Sequence, residues 1–174
     1  MHIAYTMAPG RGDMDLILEQ SAALLETKGV RTCGTVQINS DRENCHACDM
    51  DVKVLPNGPV IRISQSLGQD SQGCRLNPSA LEEAVGYSRS RLDQGVDVLI
   101  INKFGKHEAE GRGFRELIGE ALAMEIPVLV GVNELNLPAF LEYTAGIAVK
   151  VSPEPEKIAD WLDGCLKSEK EQVA

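Results

Sequence analysis

Apolar and polar positions alternate along this chain in blocks that predict strands and helices in turn. Short apolar runs at residues 2–6, 30–38, 97–101, 127–132 and 148–151 are typical of buried strands. Apolar residues at mostly helical spacing, with capping and stop signals, predict helices at residues 13–28, 77–94, 113–124 and 153–166. This alternation predicts an α/β fold of three layers, a mostly parallel sheet with helices on both faces.

A strong turn signal interrupts the alternation. The tetrapeptide Pro56-Asn57-Gly58-Pro59 separates two short strand-like runs, residues 51–55 and 60–64, and so predicts a β-hairpin extension at one edge of the sheet. No repeat or long linker divides the chain. We therefore expect a single domain over residues 1–168 and a charged tail at 169–174.

Composition narrows the classes of partner. The 174 residues carry a net charge of −9, which argues against a nucleic-acid surface and against docking to an anionic membrane. No apolar stretch approaches the ~20 residues of a membrane helix, and the N-terminus lacks a signal-peptide pattern. The expected location is the cytoplasm, and a homo-oligomer is left open.

A glycine-rich turn connects the first predicted strand to the first predicted helix. It contains Gly10, Arg11 and Gly12, and Asp13 follows as a candidate helix cap. One interpretation is a capped helix after a tight turn. The other is a pocket in which backbone amides, the helix N-terminus and Arg11 bind an anion or a nucleotide. Ligands of open parallel sheets lie beyond the carboxyl ends of the strands, where this turn and residues 102–108 are expected to meet.

The run from residue 97 to residue 132, which contains Asn102-Lys103-Phe104-Gly105-Lys106-His107-Glu108, resembles the second half of the small bacterial and archaeal nucleoside-triphosphatases of the phosphate-loop NTPase class. Those proteins have a strand ending in Asp-Glu, then Ile-Gly-Lys-Met-Glu. The corresponding residues here include Asn102 and Lys103 in place of the two acids, and Gly105, Lys106 and Glu108 at matching positions. The resemblance implies a phosphate-loop NTPase-like fold over about 35 residues, with a weaker match over the first 35.

The same resemblance implies altered chemistry. The loop lysine position falls on or beside Asp13 and the hydroxyl position on Met14, so both Walker motifs are degenerate and efficient hydrolysis of MgATP is not expected. We expect the first and third parallel core strands to be neighbours, which would allow an ion pair between Asp13 and Lys103. Alternatively, Lys103 or Lys106 supplies the charge that binds phosphate.

A second resemblance covers almost the whole chain. A bacterial family of unknown function has the signatures Cys-Asp-Met-Asp, Ser-Gln-x-Leu-Gly, Gly-Cys-Arg-Leu and Asn-Lys-Phe-Gly-Lys-x-Glu. These match residues 48–51, 64–68, 73–76 and 102–108. The resemblance implies a link to molybdenum uptake.

The polar middle of the chain carries the remaining candidates. Cys45, Cys48 and Cys74, together with His46, are candidate zinc ligands; the alternatives are thiols without a ligand, or a pocket of Cys48 and Cys74 with Arg75. The loop at residues 64–75 is rich in small donors, and with Arg75 it is a candidate site for phosphate, sulfate or molybdate. A lone loop histidine such as His107 is expected to be solvated.

The sequence thus predicts a protein that binds a nucleotide or a small oxyanion on a phosphate-loop NTPase scaffold, with a link to molybdate handling. Two alternatives stay open. One is an active nucleoside-triphosphatase in which Asp13, Asp15 or Glu108 holds a magnesium-nucleotide. The other is a metal-binding module built on the cysteines.

Overall fold

The computed structural model describes residues 1–10, 12–40, 49–65 and 76–173, with the backbone alone for residues 39, 40, 49 and 169–173. Its strands are β1 (Ile3–Thr6), β2 (Thr32–Ser40), β3 (Asp49–Val54), β4 (Val60–Arg62), β5 (Val98–Phe104), β6 (Val128–Val132) and β7 (Val149–Lys150). Its helices are α1 (Asp13–Thr27), α2 (Pro78–Leu92), α3 (Lys106–Ala109), α4 (Arg115–Ala123), α5 (Leu137–Tyr143) and α6 (Pro155–Val173).

The strands form one sheet in the order β4-β3-β2-β5-β6-β1-β7. The strands from β2 to β7 in this order are parallel, whereas β3 and β4 run antiparallel at one edge. The mostly parallel sheet and the hairpin at its edge are therefore confirmed. In the described part of the chain, no helix is both long and apolar enough to cross a membrane.

Both faces of the sheet are covered, as continuous apolar strands require. β5 and β6 are buried along almost their whole length. One face packs against the buried side chains of α2, α4 and α5, among them Leu81, Val85, Leu117, Ile118 and Phe140. The other face packs against α1 and α6 through Leu18, Leu25, Ile158 and Leu162. The predicted three layers are confirmed, and the parallel strands all end at the same edge of the sheet.

The predicted neighbours within the sheet are wrong in one respect. β1 pairs with β6, and β6 pairs in turn with β5, so that one strand separates the first parallel strand from the strand that carries Asn102. Since adjacent strands lie about 4.8 Å apart, β1 and β5 are about 10 Å apart. Strand order depends on which apolar faces meet in three dimensions, and the periodicity of each strand does not encode it.

Several element boundaries also differ from prediction. The third predicted parallel strand does not end at Ile101 but continues as β5 to Phe104. Two short helices, α3 and α5, were not predicted, because neither is long enough to show a helical period. The last helix extends to Val173 rather than ending near Leu166. The predicted start of α2 is confirmed, since the Asn77 side chain accepts a hydrogen bond from Ala80 N at 3.2 Å.

Candidate functional site

In the turn between β1 and α1, the carboxylate of Asp13 lies against Gly10. Gly12 is the N-cap of α1, in the left-handed region with φ 83°, and no side chain caps the helix. The predicted capping role of Asp13 is therefore wrong, and Asp13 is instead the first helical residue. A Cβ atom at Gly10 would overlap the Asp13 carboxylate, so only glycine permits this close approach. Arg11 lies outside the described residues.

The expected ion pair between Asp13 and Lys103 is not formed. Both side chains are exposed, and the ion pairs among the described residues do not join them. The reason is the strand order, because β6 lies between the strands that precede the two residues. A different pair of polar side chains is hydrogen-bonded at this edge of the sheet.

That pair is Asn102 with Asp15. Asn102 is 4% exposed, and its Nδ2 donates to Asp15 Oδ1 at 2.8 Å while its Oδ1 accepts from Gln37 N at 2.8 Å. Gln37 Nε2 also donates to Asp15 Oδ2 at 3.2 Å. An ionised carboxylate only accepts hydrogen bonds, which fixes the amide orientation of Asn102. The network ties the first turn of α1 to β5 and β2.

The hydrogen bonds that join Asp15 and Gln37 to Asn102 are not predictable from the sequence pattern. A signal was present for each, since Asp15 falls in the first turn after the glycine turn and Gln37 is a polar position within an apolar strand. What the sequence lacks is the distance between them, because the hydrogen bonds span 65 and 87 residues of chain.

A β-bulge lies at the end of β5, where Lys103 is exposed. Ile101 pairs with Val130 but Phe104 pairs with Val132, so β5 has one extra residue at this point. Phe104 is fully buried, with its ring centroid 5.3 Å from that of Phe140, whereas Lys103 is exposed. Bulges occur beside active sites, where they redirect one side chain. Lys103 therefore projects from the carboxyl edge of the sheet while Asn102 stays buried.

Glu108 is buried and hydrogen-bonded to the backbone next to α3. It is 3% exposed, and its carboxylate accepts hydrogen bonds from Gly105 N at 2.9 Å and Phe114 N at 3.3 Å. Burial raises the pKa of Glu108, and these backbone donors oppose part of that rise. Glu108 thus closes the turn around α3, since each of its two carboxylate oxygens accepts a hydrogen bond from a backbone amide of that turn.

The expectation for His107 is wrong, because this side chain is buried rather than solvated. It is 7% exposed, and its Nε2 lies 3.3 Å from Glu82 Oε1 on α2. The same Glu82 oxygen accepts from Gly113 N at 2.9 Å. Lys106, by contrast, is exposed at the surface of α3, 3.7 Å from Glu110. His107 and Glu108 thus attach α3 to the body of the protein, whereas Lys106 does not.

The remaining candidates lie outside the described residues: Cys45, His46, Cys48, Cys74 and Arg75. Within the described part of the chain, no group of three His, Cys, Asp or Glu side chains is arranged to hold a metal ion. Cys33 and Cys165 are buried, and burial raises the pKa of the Cys33 thiol to about 11. A thiol held protonated in this way is not a nucleophile at neutral pH.

Comparison with solved structures identifies the fold. The chain is similar to THEP1 from the hyperthermophile Aquifex aeolicus, with a TM-score of 0.62, 19% sequence identity and coverage of 94% of this chain and 96% of that one. It is similar also to a human cancer-related nucleoside triphosphatase, with a TM-score of 0.64, 17% identity and coverage of 96% and 97%. At these identities the likeness shows the fold alone, which is that of the phosphate-loop NTPases.

The chain is also similar to one segment of a longer curated protein. The Molybdenum import ATP-binding protein ModC 2 of Bradyrhizobium diazoefficiens is 37% identical over 150 residues, which are 86% of this chain. The match covers 17% of the relative's length, so this chain corresponds to a small part of it. A family model matches residues 3–161. The chain therefore belongs to the family described as protein of unknown function (DUF2478), on a phosphate-loop NTPase fold.

Proposed function

We propose that the protein binds a nucleotide or a small oxyanion at the carboxyl edge of its sheet without hydrolysing nucleotides, and that it acts in molybdenum handling. The observation that carries this proposal is the bulge in β5, which buries Asn102 in a hydrogen-bond network and turns Lys103 outward. Lys103 therefore carries a positive charge at a position where the NTPase motif has an acid.

The network argues against phosphoryl transfer. That reaction depends on a lysine clamp, a magnesium ligand and a residue that positions the nucleophile. In this chain the first turn of α1 contributes Asp13 over the glycine turn, and Asn102 donates its amide protons to Asp15. These side chains supply neither the cation that neutralises the transferred phosphoryl group nor a carboxylate on β5, and we expect no hydrolysis above background.

The outward lysine favours an anionic ligand. Lys103 lies where open parallel sheets bind their ligands, and it forms no ion pair with the described residues. Lys106 is a weaker candidate, since it is oriented toward Glu110 on α3. In a chain with a net charge of −9, the exposed Lys103 favours local binding of one anion rather than a broad basic surface.

The molybdenum link rests on the relative. Its printed name describes an ATP-binding protein of molybdenum import, and it shares 37% identity with this chain over 150 residues. Molybdate is a tetrahedral dianion, which an exposed lysine at a sheet edge can meet directly. This combination makes molybdate and tungstate the first oxyanions to test.

Binding and hydrolysis can be measured separately. Thermal unfolding would be followed with MgATP, MgGTP, phosphate, sulfate, molybdate and tungstate, and phosphate release from MgATP would be assayed in parallel. A ligand at 100 times its dissociation constant stabilises the folded state by about 2.7 kcal/mol. We expect at least one anion to raise the unfolding temperature and no release of phosphate. Hydrolysis at an enzymatic rate, or no shift with any anion, would contradict the proposal.

A matched pair of variants locates the ligand. Lys103→Ala is expected to weaken binding of the stabilising anion at least tenfold, since it removes the charge at the sheet edge. Lys106→Ala removes the same charge three positions along the chain, and binding should stay within about twofold because the pair with Glu110 lies on the surface of α3. Equal losses in both variants would mean that net charge, rather than Lys103, determines binding.

A further inference from the structure

The two acids in the first turn of α1 have different environments. Asp15 accepts hydrogen bonds from Asn102 Nδ2 at 2.8 Å and Gln37 Nε2 at 3.2 Å, and so belongs to the network that holds α1 on the sheet. Asp13 is exposed and lies outside that network. Its carboxylate is folded back against Gly10, in space that any side chain at position 10 would fill.

A carboxylate in this place changes what the glycine turn can bind. A phosphate loop holds phosphate groups by inward backbone amides at a helix N-terminus. Here the Asp13 carboxylate already lies on the turn and next to the N-terminus of α1, where a negative charge is stabilised. An anionic ligand at the same place is repelled by this carboxylate, and the repulsion grows with each further phosphate group of a polyphosphate ligand.

Lys103 lies on a strand that does not adjoin the strand leading into the glycine turn. β6 separates β1 from β5, and among the described residues no ion pair joins Lys103 to Asp13. A single tetrahedral oxyanion bound at Lys103 does not need the glycine turn. A nucleotide that uses the turn as a phosphate loop must place its phosphate chain against Gly10 and Asp13.

We propose that Asp13 excludes polyphosphate chains from the glycine turn, so that the ligand of this protein is a single tetrahedral oxyanion rather than a nucleotide. The inference rests on the proposed function in taking Lys103 as the anion site. It assigns Asp13 as a specificity-determining residue: its charge selects against one class of anion.

The test compares wild type with Asp13→Asn by calorimetric titration of MgATP, tripolyphosphate and molybdate. Asn keeps the shape of the side chain and removes its charge. We expect affinity for MgATP and tripolyphosphate to rise at least tenfold, and affinity for molybdate to change less than threefold. Glu19→Gln removes the same charge further along α1, and it should leave all three affinities within about twofold.

The outcomes separate the two proposals. Unchanged affinity for both polyphosphates in a folded Asp13→Asn variant overturns the inference, as does wild-type binding of MgATP as tightly as of molybdate. If wild type binds no oxyanion but Asp13→Asn gains MgATP, the proposed function fails while the role of Asp13 stands. Asp13→Ser repeats the measurement with a different uncharged side chain at the start of α1, in case the Asn variant does not fold.

Discussion

The two halves of the segment at residues 102–108 perform different tasks, although they are adjacent in sequence. Asn102 and Lys103 lie at the carboxyl edge of the sheet, one tied to α1 and the other turned outward by a bulge. His107 and Glu108 are buried and hold α3 through bonds to Glu82, Gly105 and Phe114. The half that matches the NTPase motif most closely holds α3 in place, and the half that differs contains Lys103, the residue we propose as the anion site.

This difference shows how a motif can outlast the chemistry it is known for. Glu108 is retained at the family position, and its burial with two backbone donors gives it a reason to stay whether or not the protein hydrolyses anything. Asn102 is also buried, but its partners are Asp15 on α1 and Gln37 on β2 rather than the backbone of its own turn.

The largest effect on stability is expected at Glu108. Glu108→Ala removes the acceptor of two backbone amides next to a buried turn, which should lower the free energy of unfolding by about 3 kcal/mol. Urea denaturation would measure the loss. Glu110→Gln, at the exposed residue that follows α3, is the control and should change the urea midpoint little, because its ion pairs with Lys106 and Arg112 lie on the surface. A loss no larger than that of the control would show that Glu108 is not structural.

The same carboxylate predicts a pH dependence. Because burial raises the pKa of Glu108 in the folded state, its contribution to stability is complete below its unfolded pKa of 4.5. That contribution is lost as pH rises through the raised folded pKa. Glu108→Gln has no titratable group here, so its unfolding free energy should lack this decrease. Identical pH profiles for wild type and Glu108→Gln, both measured by urea denaturation, would contradict the assignment.

The next effect tests the other half of the segment. Asn102→Asp replaces the amide that donates to Asp15 with a second carboxylate, and should cost about 2 kcal/mol of unfolding free energy at pH 7. The exchanged double variant, Asn102→Asp with Asp15→Asn, restores one donor and one acceptor and should recover most of the loss. If the single variant is as stable as wild type, or the double is no better than the single, the network does not hold α1 on the sheet.

A smaller loss is expected where α2 meets α3. Glu82→Ala leaves Gly113 N and the buried His107 ring without their shared acceptor, which should cost about 1 kcal/mol. The neighbouring Glu83→Ala is exposed on the same helix and should change the unfolding free energy by less than about 0.5 kcal/mol. Equal effects of the two, measured by thermal unfolding, would show that the Glu82 contacts are not stabilising.

The smallest effect on stability is expected at the residue proposed to matter most for binding. Lys103→Ala and Lys106→Ala should both unfold within about 0.5 kcal/mol of wild type, since both side chains are exposed. Thermal unfolding without ligand would show this. A large loss in Lys103→Ala would mean that this lysine serves the fold, and the contrast between the two halves of the segment would disappear.

Much of the fold could be predicted because its signals are local. The apolar run in β5, the turn at Pro56–Pro59 and the Asn77 cap depend on residues next to each other in the chain. The order of the strands could not be predicted in the same way. Whether β5 lies beside β1 or beyond β6 is decided by side-chain packing between elements that are far apart in sequence.

The features of the candidate site also fall into local ones and ones that depend on tertiary structure. Sequence by itself determined which residues stand at positions 13, 102 and 103, and its resemblance to the phosphate-loop NTPases predicts that they replace catalytic groups, since residue identity at a motif position is a local property. Only the tertiary structure decided that Asn102 pairs with Asp15, that a bulge separates Lys103 from it, and that His107 and Glu108 are buried. Hydrogen bonds and burial depend on distances between segments, which are fixed when the sheet assembles and not before.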